Sequence, residues 1–313
     1  MNISSSRVGI LRCANYDRKS IRECINRFVD SFPFTVSRGT KVLIKPNLVA
    51  ARGHDGLACT HPECVAAVAE WCLGQGARVC IGDSPAFGSG VDVMKRVGIA
   101  DAVASLDVKL VSFTPGEKMC LAGGASVVVA AEVMESDVLI NLPKVKAHSQ
   151  VRMTLGVKNY FGIVSGWRKA YLHQTVGGSE TRFAEMIVDL LAIVPPGMTI
   201  IDGISAMHKS GPLDGAAYPL GILAGSLNPV ALDTALLDVV QLESDRSLLW
   251  QECYRRNLAG SILDQLEYPF LCPEEVRAAD FSIPAVLSPI RFNGTQVLRS
   301  IRKRIQTVFR ALQ

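Results

Sequence analysis

The sequence predicts an α/β protein in which mostly parallel sheets are flanked by helices and arranged in two lobes. Three observations indicate this class. Short runs of β-forming apolar residues end in glycine, proline or polar residues. Segments with apolar residues at helical spacing lie between these runs, and such alternation favours parallel sheets. The chain has 313 residues, of which 49% are hydrophobic, so it can bury a large core and is not a disordered chain.

The individual elements follow from local patterns. The runs predicted as strands are residues 41–44, 78–81, 108–113, 137–140, 199–201 and 220–223. Apolar residues at helical spacing predict a helix over residues 21–29. Thr60 and Glu63 form the pattern of a capping box, which predicts that a helix begins there and runs through Leu73. Asn228 followed by proline predicts the start of a further helix over residues 228–242.

The chain divides by composition into a body and a tail. Residues 1–280 are predicted to be the α/β body, with residues 147–178 as an inserted loop or lid because they are rich in glycine and lack clean periodicity. Residues 281–313 are predicted to be a linker and an amphipathic helix. The apolar side of this helix is formed by Val297, Ile301, Ile305, Val308 and Leu312.

Charge is concentrated in the tail. The net charge is +4, yet residues 290–313 carry six basic residues and no acid, which leaves 27 basic and 29 acidic residues elsewhere. A near-neutral body argues against nucleic acid as the partner. The basic helix has two alternative roles: it packs on its own protein, or it binds an anionic membrane surface or an acidic partner.

The sequence favours a cytoplasmic location, with peripheral membrane association as the alternative. No apolar run approaches the roughly 18 residues of a membrane span, and the first residues do not resemble a secretion signal. The nine cysteines are an odd number and contain no CxxC pair. This usage is typical of a reducing compartment, where most of these thiols are expected to be buried as small apolar side chains.

Polar residues collect directly after the predicted strands. Because ligands of parallel sheets bind beyond the carboxyl ends of the strands, we expect these residues to line one cleft. The side chains predicted to bind a substrate are Lys45, Asn47, Thr60, His61, Ser84, Asn141 and Asn159. Those predicted to be catalytic are Lys144, Lys146, His148, Lys158 and His173. The two carboxylates Asp83 and Asp202 either tune these groups or hold a divalent metal ion.

Lysine use supports an anion site. Four ammonium groups that converge on one cleft repel one another unless an anion or buried carboxylates neutralise them. The alternative is that each lysine at the end of a strand extends its charged group to solvent. Histidine can supply the acid or base of a proton transfer. No P-loop, GxGxxG, GxSxG or ferredoxin-type cysteine pattern is present, so the cofactor is not identified by a motif.

The ordered set of motifs resembles the family known as domain of unknown function 362. The matching segments are VLIKPNLV (42–49), THPECV (60–65), IGDSP (81–85), DVLINLPKVKAH (137–148), MTLGVKNYFG (153–162), residues 200–215 with IIDGI and GPLDG, and NPVALD (228–233). The resemblance implies paired α/β lobes around a cleft, distantly similar in fold to lactate racemase-type nickel-pincer enzymes. Many members carry a ferredoxin-like cysteine segment, which this sequence lacks.

These observations support three functional hypotheses. The leading one is an enzyme that acts on a small carboxylate or phosphate compound by lysine and histidine acid–base chemistry, such as isomerisation, elimination or cyclisation. The family resemblance implies a second, an iron–sulfur or redox accessory protein. The third is an anion-binding module without catalytic activity.

Overall fold

The computed structural model describes residues 5–50, 57–85, 88–165 and 180–285, and most of its strands belong to one ten-stranded sheet. The strands are β1 (Gly9–Arg12), β2 (Lys41–Pro46), β3 (Arg78–Asp83), β4 (Val108–Ser112), β5 (Pro115–Cys120), β6 (Ser126–Ala130), β7 (Val138–Leu142), β8 (Lys144–His148), β9 (Arg152–Thr154), β10 (Thr199–His208), β11 (Ala216–Tyr218) and β12 (Ile222–Ser226). The order across the large sheet is β1-β12-β10-β7-β2-β3-β4; β8 and β11 pair with β10, β9 pairs with β8, and β5 with β6 forms a separate hairpin.

The helices flank this sheet. They are α1 (Arg18–Ser31), α2 (Pro62–Gly74), α3 (Gly90–Arg96), α4 (Ile99–Ala102), α5 (Ala131–Met134), α6 (Gly156–Asn159), α7 (Glu180–Asp189), α8 (Pro229–Val239) and α9 (Leu248–Arg255). The helices predicted near residues 21–29, 60–73 and 228–242 are present as α1, α2 and α8. Asn228 caps α8 as predicted, because its side-chain oxygen accepts from the backbone N–H of Val230 at 2.9 Å.

Both faces of the sheet are covered. Successive residues of β2 point to opposite faces, so Val42 and Ile44 enter one hydrophobic cluster and Leu43 enters another. The first cluster includes Phe28 of α1, and the second includes Phe183 of α7. Burial on both faces explains why the central strands are nearly continuous apolar runs. The predicted α/β class is confirmed, and the central pairs of β2 with β3 and β7, and of β3 with β4, are parallel.

The strands β7 and β8 are joined by the single residue Pro143. β7 lies between β10 and β2, whereas β8 pairs with β10 and β9, so the chain leaves β2 at this proline but keeps β10 as its neighbour. The backbone N–H of Asp202 donates to the carbonyl of Pro143 at 2.9 Å, which keeps β10 beside the chain through the junction. The prediction that strands end at residues 140 and 201 was therefore wrong. Asp202 lies inside β10. Lys144, Lys146 and His148 occupy every second position of β8, so their side chains share one face.

The predicted capping box at Thr60 was also wrong. α2 begins at Pro62, and its N-cap is His61, whose Nδ1 accepts from the backbone N–H of Glu63 at 3.2 Å. The hydroxyl of Thr60 is used elsewhere: it donates to the carbonyl of Leu142 at 2.5 Å and accepts from the backbone N–H of Asn47 at 2.8 Å. Thr60 thus ties the loop after β2 to the end of β7.

Part of the predicted insertion is built into the core. Residues 147–165 contain the end of β8, β9, α6 and a 3-10 turn at Tyr160–Ile163, and most of them are buried. His173 and the predicted C-terminal helix lie outside the described residues, and the domain boundaries stay predictions. Among the helices described, none combines the length and the apolar character needed to cross a bilayer.

Candidate functional site

Lys45 and Asp83 form a buried ion pair at the carboxyl ends of β2 and β3. Nζ of Lys45 lies 2.9 Å from Oδ1 of Asp83, and the other oxygen, Oδ2, accepts from the backbone N–H of Leu48 at 2.9 Å. Neither side chain is more than 2% exposed. Burial lowers the pKa of Lys45, while the neighbouring Asp83 carboxylate opposes that effect by favouring the charged amine.

A second buried ion pair joins β8 to β10. Nζ of Lys144 lies 2.7 Å from Oδ2 of Asp202 and donates to the hydroxyl of Tyr16, also at 2.7 Å. The Tyr16 hydroxyl in turn donates to Oδ1 of Asp202 at 2.9 Å. The backbone N–H groups of His61 and Ile204 complete the coordination of this carboxylate. A buried charge pair needs such additional hydrogen bonds to offset its desolvation.

The ring of His61 stacks on Tyr16, the tyrosine that is hydrogen-bonded to this second ion pair. Its ring lies 3.5 Å from the ring of Tyr16, with an angle of 10° between the planes. Because Nδ1 accepts the N–H of Glu63, the hydrogen of the neutral ring belongs on Nε2. Burial lowers the pKa of His61, and Asp202 partly opposes that change. The side chain therefore favours the neutral form at the edge of the site.

Lys146 has no carboxylate partner among the described residues. Its Nζ donates to Oδ1 of Asn47 at 2.7 Å and to the carbonyl of Ala58 at 2.8 Å, and both acceptors are neutral. Burial, reinforced by repulsion from Lys158 and Lys144, lowers the pKa of Lys146 to about 7. A neutral amine has two N–H donors, so these two acceptors satisfy it completely and leave its lone pair available.

Three asparagines form a directed relay that ends at Lys146. Asn141 donates from Nδ2 to the carbonyl of Gly156 at 3.0 Å; Asn159 donates to Oδ1 of Asn141 at 2.7 Å; and Asn47 donates to Oδ1 of Asn159 at 2.9 Å. A backbone carbonyl only accepts, so Gly156 fixes the orientation of all three amides. The consequence is that Asn47 must present its oxygen to Lys146.

Lys158 lies at the end of α6 against two aromatic rings. Its Nζ is 5.1 Å from the ring centroid of Phe161 and 5.3 Å from that of Phe183. Burial, together with repulsion from Lys45, lowers the pKa of Lys158 to about 8. Within the described ranges, no carboxylate lies within 4 Å of its Nζ. Lys158 is thus the second of the four lysines that has no acidic partner among the residues described.

Two residues that were not among the predicted site residues hold this part of the chain in place. Asp233 of α8 accepts the backbone N–H groups of Gly156 and Val157 at 2.7 and 3.0 Å and so anchors the start of α6. Burial raises the pKa of Asp233 to about 7, although the two hydrogen bonds from the backbone act to lower it. Gly162 packs directly on the first ion pair, where a Cβ atom would overlap Nζ of Lys45 and Oδ1 of Asp83.

The remaining predicted residues are distributed as follows. His148 is 5% exposed and accepts at Nδ1 from the backbone N–H of Gln150 at 3.1 Å. Thr60 is buried beside Asn47, and Ser84 is buried just after β3. Tyr16 was also missed, because it precedes α1 in a loop with no motif. Its separation of 186 residues from Asp202 gives no signal in a single sequence.

The two carboxylates predicted as metal ligands, Asp83 and Asp202, each face a lysine. Each belongs to a different ion pair. Across the described residues, no group of three or more histidine, cysteine, aspartate or glutamate side chains is arranged to hold a metal ion. Six of the nine cysteines are buried, in line with the expected role of most thiols as core side chains.

Fold and site together define an α/β protein that brings together four buried lysines from β2, β8 and α6. A family model described as "Domain of unknown function (DUF362)" matches residues 42–238, and the chain belongs to this family. The resemblance drawn from the sequence motifs is thereby confirmed.

Two individual proteins are similar to the chain. "Thylakoid-associated protein sll1697" of Synechocystis sp. is 34% identical over 308 residues, which cover 96% of this chain and 95% of that protein. The lactate racemase apoprotein from Thermoanaerobacterium thermosaccharolyticum matches with a TM-score of 0.47 and 12% identity. That match covers 76% of this chain and 58% of the lactate racemase chain, and it concerns the fold alone.

Proposed function

We propose that this protein is an enzyme that binds a small organic anion at Lys45, Lys146 and Lys158 and moves a proton through Lys146. The observation that carries the proposal is the surroundings of Lys146: a fully buried amine that meets two neutral acceptors and, within the part of the chain that the structure describes, no carboxylate. An amine with a pKa near neutrality is suited to both accepting and returning a proton.

The charge balance of the site supports an anionic ligand. Asp83 and Asp202 neutralise Lys45 and Lys144, whereas Lys146 and Lys158 have no acidic partner among the described residues. A carboxylate or phosphate brought close to both would favour their charged forms and raise both pKa values. Binding of an anion is therefore coupled to the uptake of protons, which supplies the enzyme with an acid at the moment the substrate arrives.

The same arrangement supports proton transfer rather than anion binding alone. A protonated Lys146 beside a substrate oxygen would stabilise negative charge that develops there, and such electrostatic stabilisation is often a large contribution to catalysis. His148 lies two residues further along the same face of β8 and offers a second proton-carrying group. Isomerisation, elimination and cyclisation beside a carbonyl group all require this pair of functions.

Calorimetric titration tests this proposal. Inorganic phosphate and malonate are titrated into the protein at neutral pH in two buffers that differ in ionisation enthalpy. We expect at least one of the two anions to bind with uptake of protons from the buffer. Lys146→Met is expected to weaken binding by at least about tenfold, a loss of about 1.4 kcal/mol, whereas the exposed control Lys118→Met leaves it unchanged. Absence of binding in the native protein, or equal affinity in Lys146→Met, contradicts the proposal.

We further propose that the basic C-terminal residues hold the protein at an anionic membrane surface. Two observations support this role: the charge and apolar pattern of residues 290–313, and a relative whose printed name is thylakoid-associated. Basic amphipathic segments bind anionic lipid by apolar burial and charge attraction. Removal of residues 290–313 is expected to abolish sedimentation with phosphatidylglycerol vesicles and to leave the unfolding temperature unchanged. Equal sedimentation of the full and shortened chains contradicts this role.

A further inference from the structure

Lys158 differs from the other three lysines of the site in what surrounds its amine. Lys45 and Lys144 are held by carboxylates, and Lys146 is held by two hydrogen bonds. Those three residues are at most 1% exposed, whereas Lys158 is 9% exposed. Among the described residues, its Nζ lies over the rings of Phe161 and Phe183 and makes no hydrogen bond or ion pair. Its lone pair is therefore not engaged by a hydrogen-bond network from the part of the chain that the structure describes, and the residue keeps part of its surface accessible.

The two rings suit a particular kind of chemistry. Phe161 and Phe183 are themselves in T-shaped contact, with centroids 5.5 Å apart, so they form a fixed wall beside the amine. Ring faces attract a cation but cannot accept its protons as a carboxylate does. When neutral, the amine keeps only van der Waals contact with these rings, and the cation–π attraction returns when the nitrogen becomes part of a larger organic cation.

We propose that Nζ of Lys158 is a nucleophile that forms a reversible imine with the carbonyl carbon of a small oxo acid. This inference rests on the proposed function, because the carboxylate of the oxo acid is the anion that the neighbouring lysines would bind. Lysines placed in apolar surroundings or beside other cations are well suited to this reaction.

The step balances without an oxidant or reductant. The lone pair of Nζ attacks the carbonyl carbon, and the electrons of the C=O double bond move to oxygen to give a carbinolamine. One proton moves from Nζ to the carbinolamine oxygen, and that oxygen takes a second proton from the protonated amine of Lys146. The C–O bond then breaks, water leaves, and the C=N bond of the protonated imine forms. Lys146 is the nearby group suited to carry these protons, because its two hydrogen bonds satisfy the neutral amine. The protonated imine is a cation, which the faces of Phe161 and Phe183 stabilise.

Nearby positive charge favours the reactive form of Lys158. Lys45 repels a proton on Nζ, and burial acts in the same direction, so the pKa of Lys158 falls to about 8. Compared with a surface lysine at its ordinary pKa, this gives roughly a hundredfold more neutral amine at neutral pH. The exposed Lys118 provides the matched comparison on the same chain.

Reductive trapping with glyoxylate tests the inference. The full chain is incubated with glyoxylate and sodium cyanoborohydride at neutral pH, and the products are analysed by intact mass and peptide mapping. We expect one carboxymethyl group to be added first, at Lys158, at a rate on the order of a hundredfold above that at Lys118. Lys158→Arg is expected to lose this first addition, while Lys118→Arg keeps it.

The controls separate this inference from the proposed function. Phosphate binding by calorimetry is measured on the same samples, and phosphate is added to part of each trapping reaction as a competitor. Binding of phosphate without selective labelling of Lys158 overturns the imine inference and leaves the proposed function standing. Selective labelling of Lys158 without binding of phosphate or malonate supports the imine and contradicts the anion site. First labelling at Lys146, or uniform labelling of surface lysines, also overturns the inference.

Discussion

Nζ of Lys146 donates to the side-chain oxygen of Asn47 at 2.7 Å, where a buried lysine ordinarily meets a carboxylate. The orientation of this amide is set from the far end of a relay, at the carbonyl of Gly156. The relay therefore places an uncharged acceptor, the amide oxygen of Asn47, against the amine of Lys146. This relationship distinguishes Lys146 from Lys45 and Lys144, and it is the physical basis of the proposed proton transfer.

The first prediction concerns how the free energy of unfolding depends on pH. The folded pKa of Lys146 is about 7, below its usual 10.5, so between these values the unfolded chain binds a proton that the folded chain does not. The unfolding free energy of the native protein relative to Lys146→Met should therefore rise with pH above about 7, by up to about 1.4 kcal/mol per pH unit. Below pH 7 the difference should be constant. Urea denaturation across this range measures it, and a difference independent of pH contradicts the assignment.

The second prediction concerns the ion pair between Lys144 and Asp202. Lys144→Met leaves the Asp202 carboxylate buried without a counter-charge, so the free energy of unfolding should fall by about 3–5 kcal/mol. The matched control is Arg7→Met, which removes an ion pair with Glu267 in which both side chains are more than half exposed. That change should cost no more than about 1 kcal/mol. Equal losses in the two variants would show that burial does not govern the Lys144 pair.

The third prediction concerns Gly162. In Gly162→Ala the new methyl group overlaps Lys45 and Asp83, so the ion pair must move. Both anion binding and stability should decrease, the latter by about 1–3 kcal/mol. Gly74→Ala is the control: Gly74 is the last residue of α2 and has no atom within 4 Å of the added Cβ, so this change should be neutral or stabilising by up to about 1 kcal/mol. A stable, binding-competent Gly162→Ala variant contradicts the close packing described.

The fourth prediction concerns the direction of the amide relay. Asn159→Asp keeps the shape of the side chain and its acceptor for Asn47, but it removes the donor to Asn141. The stability lost should be about 1–3 kcal/mol, because a buried acceptor is left unpaired. The exposed control Asn257→Asp should change stability by less than about 0.5 kcal/mol. Equal stability of the two variants contradicts the hydrogen bond from Asn159 to Asn141 and with it the relay.

The sequence was sufficient to predict the fold class and to select several residues that the structure brings together. Lys45 and Asp83 follow short apolar runs, and the parallel-sheet rule correctly brings such residues together. The extension of β10 past Asp202 could not be predicted from local sequence. This part of the strand is stabilised by its pairing with β8, which lies more than fifty residues earlier in the chain. The same reason applies to Thr60, whose hydroxyl is taken by Asn47 and Leu142 rather than by its own helix.

The partner of each lysine amine, and therefore its pKa, could not be predicted from the sequence. Four lysines near strand ends look equivalent in a sequence, yet two of them meet carboxylates, one meets an amide and one meets aromatic rings. Phe183 lies 25 residues after Lys158 along the chain, and no periodic pattern connects them. Distinguishing these environments requires the three-dimensional partners of each Nζ.

The most direct test of the central claim is a titration of the lysine side chains by NMR on protein labelled at Cε and Nζ, with Lys146→Arg used to assign the resonance. We expect a titration midpoint near pH 7 for Lys146 and an upward shift of that midpoint when phosphate is bound. A midpoint near the ordinary 10.5, with or without phosphate, would show that Lys146 stays charged throughout and would contradict the account.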